Sequence, residues 1–130
     1  MPKRATGTFE VVVKPVTDTE TTVASGRMSI EKKFEGDLRG SARGEMWTVG
    51  TPVQGSAGYV AIDRVTGTLE GREGTFVLLH QATMRKGGEF NMSLVVVPDS
   101  GTDGLEGIAG KLTIVIEGGK HSYELEYTLG

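Results

Sequence analysis

The sequence predicts an all-β fold, an eight-stranded antiparallel up-and-down barrel, on three observations. First, a turn cassette is written twice: Leu69-Glu70-Gly71-Arg72-Glu73-Gly74-Thr75-Phe76 and Leu105-Glu106-Gly107-Ile108-Ala109-Gly110-Lys111-Leu112 share the pattern Leu-Glu-Gly-x-x-Gly-x-apolar. A looser copy runs Gly36-Asp37-Leu38-Arg39-Gly40 and closes on Gly44-Glu45-Met46. Glycine takes the positive φ values that tight reversals need, so each copy predicts a strand folding back on itself. Second, glycine is common (20 of 130 residues) yet follows no collagen period, which suits a protein with many turns. Third, apolar and polar residues alternate between those turns, with no amphipathic helical stretch.

The elements follow in order. The first strand runs from Thr6 to Val16, with Pro15 closing it. A polar, threonine-rich loop from Val16 to Ser25 precedes the second, Met28 to Leu38. The third, Gly44 to Val49, meets the Gly50-Thr51-Pro52 break. The fourth is Tyr59 to Glu70 and the fifth Thr75 to Met84. Lys86-Gly87-Gly88 turns the chain into the sixth, Phe90 to Val97, which stops at Pro98-Asp99-Ser100-Gly101. The seventh, Lys111 to Glu117, and the eighth, Lys120 to Leu129, flank a two-residue Gly118-Gly119 hairpin. Strands this closely spaced form a meander, and closing it removes the exposed edges. One domain, residues 1–130, is expected.

Composition excludes several function classes. The net charge is −3 with both signs interspersed, unlike the basic stripe of a nucleic-acid surface. No apolar run approaches the roughly 18 residues of a membrane helix, and no signal-peptide pattern opens the chain. These absences give the expectation of a cytoplasmic protein without nucleic-acid or membrane partners. Cysteine is absent, which rules out disulfides, a thiolate nucleophile and Cys-based zinc sites. Nucleophile-elbow, phosphate-loop and zinc-helix motifs are missing too. No metal or cofactor is expected. A site of His80, His121 and Asp63 has the right donor types for iron or zinc, but no local spacing motif supports it.

Strand phase then sorts the interior. With Glu70 opposite Thr75, Val65 faces His80 and Asp63 faces Ala82. One face collects Tyr59, Ala61, Asp63, Val65, Gly67, Leu69, Phe76, Leu78, His80, Ala82 and Met84. The other carries more hydroxyls and charges and points out. The inward set elsewhere includes Phe9, Val11 and Val13; Met28, Ile30, Lys32, Phe34 and Leu38; Phe90, Met92, Leu94 and Val96. Ile116 faces His121 across the last hairpin, and Ile114 faces Tyr123. Small interior residues beside polar ones suggest a cavity.

The inward polar residues are Lys32, Thr48, Tyr59, Asp63, His80, His121, Tyr123 and Tyr127. Asp63 and His80 are diagonal neighbours, and a carboxylate beside an imidazole orients it as a general base. Tyr59 on the same face can donate to a developing oxyanion. These three are the candidate catalytic groups. Lys32, Thr48, His121, Tyr123 and Tyr127 are the candidate ligand contacts. Lys32 aligns with Asp63 when the Gly36 and Gly67 segments are superposed, which makes it a possible counter-ion. The same residues also read as a structural network closing one end of the barrel. Tyr123 and Tyr127, at period two, read first as core residues with their hydroxyls at a rim, and His121, beside a turn, as a solvated rim residue. Trp47 falls out of phase with Met46 and lies outside. Val60, Ile62, Val77 and Leu79 would form an apolar outer patch suited to a homodimer.

Five segments taken together resemble a bacterial family carried as a domain of unknown function: Asp37-Leu38-x-Gly40, Gly58-Tyr59-Val60-Ala61-Ile62, Arg64-x-Thr66-Gly67-x-Leu69-x-Gly71, Val97-Pro98-x-Ser100-Gly101-Thr102 and Gly119-Lys120-His121-x-Tyr123-x-Leu125-x-Tyr127. The resemblance covers the chain from about Phe9 onward. It implies a barrel of the allene oxide cyclase type, a fold in which plant enzymes cyclise an epoxide and small bacterial relatives act as polyketide cyclases. The active-site residues of the plant enzymes are not carried over to positions here, and fold alone does not fix function. The resulting expectation is a barrel that binds a hydrophobic small molecule, as an isomerase or cyclase. The alternatives are a non-catalytic carrier and a structural oligomer with a filled interior.

Overall fold

The computed structural model describes residues 2–15 and 25–129. It contains eight strands: β1 (Lys3–Pro15), β2 (Ser25–Gly36), β3 (Leu38–Gly50), β4 (Ala57–Leu69), β5 (Arg72–Arg85), β6 (Glu89–Val96), β7 (Ala109–Glu117) and β8 (Lys120–Thr128). Each pairs antiparallel with its neighbours in sequence, and β1 pairs with β8 to close the barrel. The threonine-rich loop expected from Val16 to Ser25 falls largely on residues 16–24, outside the described residues. No helix among the described residues is long and apolar enough to cross a membrane.

The two ends of the barrel differ. One end carries the β2–β3 turn, the β4–β5 turn and the long β6–β7 connection. It is packed shut by Leu38, Leu69, Leu105, Ile108, Leu125 and Tyr127, all almost fully buried. Towards the other end, at the β5–β6 and β7–β8 turns, inward residues become partly exposed, and Phe90 and Ile116 lie more than half open to solvent. Alternation along the strands therefore builds a solid core over half the barrel's length and an open mouth over the rest.

Three sequence expectations are corrected. The β4–β5 hairpin turns on Glu70-Gly71, with φ of 53° and 73°, the two positive values of a type I′ turn. Asp63 therefore faces Leu78 rather than Ala82, and His80 faces Ala61 rather than Val65. The slip is even, so every residue keeps the face assigned to it. Next, the second full cassette is not a hairpin: Asp103–Leu105 form a 3-10 turn whose Leu105 is wholly buried. Finally, β3 begins at Leu38 rather than Gly44, because Leu38-Arg39-Gly40 continues the strand beyond a corner at Asp37.

The β6–β7 connection also covers an edge. β6 ends with Val96 opposite Leu78, leaving the first half of β5 without a partner strand on that side. Val97 N–H donates to the Val77 carbonyl, and Thr102 N–H to the Thr75 carbonyl. In return, Ser100 Oγ accepts from Val77 N–H and Thr102 Oγ1 from Thr75 N–H. Side chains thus satisfy the backbone donors that a missing strand would leave exposed.

Candidate functional site

The candidate site lies inside the open half of the barrel. A cavity of about 410 Å³ is walled by Phe9, Val11, Ile30, Met46, Met92 and Ile114, among others. Lys32, Tyr59 and His80 supply its polar floor, and His121 stands at the mouth.

β2, β3 and β4 bring Lys32 and Asp63 together. Lys32 on β2 faces Ala42 on β3, while Asp63 on β4 faces Gly44 on β3. These small residues leave room for Lys32 to reach across the intervening strand. Its Nζ donates to Asp63 Oδ2 at 2.7 Å, with both side chains buried. Gly44 is required by that approach: a Cβ there would stand 1.8 Å from the Ile62 carbonyl oxygen and 2.8 Å from Asp63 Oδ1. Asp63 Oδ1 has no hydrogen-bond partner among the described residues. Buried charge is tolerated when paired, and here the pairing spans three strands.

β4 and β5 supply the second pair. Tyr59 faces Ala82 and His80 faces Ala61, so the two rings are diagonal neighbours. Tyr59 Oη lies 2.9 Å from His80 Nε2, with the rings edge to face at 5.0 Å. Burial lowers the His80 pKa to about 4, helped by the Lys32 charge and opposed by Asp63. The imidazole is therefore neutral at pH 7. Burial also raises the Tyr59 pKa, which keeps its hydroxyl protonated.

The structure thus places Lys32, Tyr59, Asp63 and His80 in one cluster, in two pairs. Asp63 remains a diagonal neighbour of His80, but its hydrogen bond is to Lys32, while Tyr59 is the partner of the imidazole. The counter-ion role read from the superposed segments matches this arrangement. His121 packs edge-on against Phe9 at 5.3 Å. Thr48, Tyr123 and Tyr127 do not line the cavity. Thr48 Oγ1 donates to the Gly26 carbonyl. The Tyr123 hydroxyl accepts from Leu38 N–H and shares its proton between the carbonyls of Glu35 and Leu38, which ties β8 to the β2–β3 corner. Tyr127 is buried at the shut end, where burial and the Glu70 carboxylate both raise its pKa. Met46, Met92 and Ile114 were not singled out as contacts. Inward strand phase is the signal that marks them. Among the described residues no cluster of His, Asp and Glu could hold a metal ion.

Comparison with known proteins adds the lineage. A protein from Shewanella oneidensis MR-1, described as a protein with unknown function from the DUF3224 family, has a crystal structure similar to this one. It is 41% identical, with a TM-score of 0.93 over 100% of this chain and 98% of that one. No curated protein matches the chain. The sequence profile described as "Protein of unknown function (DUF3224)" matches residues 5–127, and the chain belongs to that family.

Proposed function

We propose that the protein binds a hydrophobic small molecule in the open half of the barrel. The observation that carries this reading is the cavity itself: apolar walls converge on a few polar groups, in a volume within the usual range for ligand pockets, about 300–1,000 Å³. Asp63 supports the floor by holding Lys32 in place, and His121 sits where a ligand enters.

An isomerase or cyclase reading uses the same floor. A neutral His80 can accept a proton, and the Tyr59–His80 hydrogen bond gives that proton a short path. Holding an apolar substrate in one shape against that pair supplies the rest. A carrier would need the walls alone. His80→Gln with Tyr59→Phe separates the two: turnover is lost in the first case, and binding persists in both.

Native mass spectrometry of protein purified from its own host tests the binding reading. A retained small molecule is expected, and Ile114→Trp, which fills the cavity, is expected to remove it. A mass equal to the bare chain in both proteins argues for a structural barrel.

The outer face supports a homodimer. Trp47 and Val60 are exposed and paired across β3 and β4, with exposed Ile62 beside them. Arg43, Arg64 and Glu45 edge the patch, so charges of both signs are present for a self-complementary contact about a two-fold axis. Val77 and Leu79, which complete the expected patch, are only partly exposed.

A further inference from the structure

The cavity floor has a surplus of hydrogen-bond donors. An ammonium carries three N–H groups. One of those on Lys32 meets Asp63 Oδ2, and no other acceptor among the described residues meets the rest. Its neighbour towards the mouth is the Phe9 ring, with Nζ 5.7 Å from the centroid. Tyr59 and the neutral His80 bring two more protons. One lies between Oη and Nε2; whichever tautomer holds, the other is left over.

The same floor carries no net charge. Lys32 and Asp63 cancel at 2.7 Å, and His80 is neutral through the physiological range. An anionic head group would find no unpaired cation there. It would lose its water and stand near the Asp63 carboxylate, which is costly at low dielectric. An uncharged oxygen meets the spare donors without that cost.

Resting on the cavity being a binding site, we infer that its ligand is an uncharged, largely apolar molecule whose carbonyl-type oxygen, of a ketone, aldehyde or ester, accepts hydrogen bonds from Lys32 and the Tyr59–His80 pair. The apolar body lies against Phe9, Ile30, Met46, Met92 and Ile114. Lys32 serves as a specificity residue: its charge is cancelled by Asp63, but its directed N–H groups remain.

Three probes of equal length test this by calorimetry at neutral pH: methyl hexyl ketone, octanoate and octane. The ketone is expected to bind at least about tenfold more tightly than either of the others, as a hydrogen bond to a charged donor implies. Tightest binding by octanoate overturns the inference, and so does equal binding of ketone and octane. Binding of none overturns the inference together with the cavity reading beneath it. Lys32→Met combined with Asp63→Leu replaces the ion pair by apolar groups, a change that buried pairs often tolerate. The ketone's advantage over octane should then shrink to what the Tyr59–His80 pair alone supplies, and an undiminished advantage removes Lys32 from the role. If that variant does not fold, infrared spectroscopy on the unaltered protein decides. The carbonyl stretch of bound ketone should move to lower frequency than in octane solution, and an unmoved band overturns the inference.

Discussion

Burial takes water from the His80 imidazole, and the Lys32 ammonium adds repulsion; together they outweigh the attraction of Asp63 and bring the pKa to about 4. An unfolded histidine titrates near 6.5. Between these values the unfolded chain binds the proton and the folded chain does not. The His80 contribution to stability therefore rises with pH from about 4 to about 6.5, and is lost as pH falls through that window. The full effect is of order 3 kcal/mol. Urea unfolding across this range should show that slope, and His80→Gln should flatten it. Gly44 offers a second test at this scale. A methyl group there meets backbone, which cannot swing aside, and presses on Asp63. Gly44→Ala should cost more than about 2 kcal/mol by denaturant unfolding; a neutral result would show that β3 and β4 can separate locally. The Lys32–Asp63 pairing was legible in the sequence because it depends only on strand phase and matched turns. The Tyr59–His80 pair was not: with His80 placed opposite Val65, Tyr59 lay too far along the strand. Only the positive φ of Glu70 fixes the tighter turn, and glutamate gives no sign of it.

Among the elements, the β6–β7 connection contributes most beyond its length. In the sequence, Pro98-Asp99-Ser100-Gly101 reads as the stop of the sixth strand, and Val97-Pro98-x-Ser100-Gly101-Thr102 as one segment of a family resemblance. In the folded chain Ser100 and Thr102 take the place of strand backbone along β5, and Leu105 and Ile108 seal the shut end. Leu105→Ala should cost about 2–5 kcal/mol, the range for a wholly buried leucine. Thermal unfolding would measure it, and a shift of only a degree or two would mean that the plug is dispensable. Leu-Glu-Gly-x-x-Gly folds here in two ways, as a hairpin at Glu70 and as a 3-10 plug at Leu105, so local sequence alone could not distinguish them. What differs is tertiary: β4 and β5 pair along their whole length, whereas the described β6–β7 register is a single pair, Val95 opposite Lys111.

At the scale of the whole molecule, closure and the inside–outside pattern were legible because period-two alternation survives any even slip in register. The division into a packed half and an open half was harder to read, since it depends on which end the β6–β7 connection folds into. If the proposed dimer uses the outer patch, sedimentation at rising concentration should show mass approaching twice the monomer, and Ile62→Lys should hold the protein monomeric. A strict monomer at every concentration would leave the patch without that role. The single tryptophan gives a way to watch this directly. Trp47 lies on the outer face of β3, half exposed, with the Arg27 guanidinium 5.5 Å from its ring, while its neighbour Met46 lines the cavity. The strand thus separates two optical signals: Trp47 emission should shift to the blue when two copies meet and stay constant when the barrel fills, whereas Tyr59, which lines the cavity, should respond to the ligand and not to the second copy.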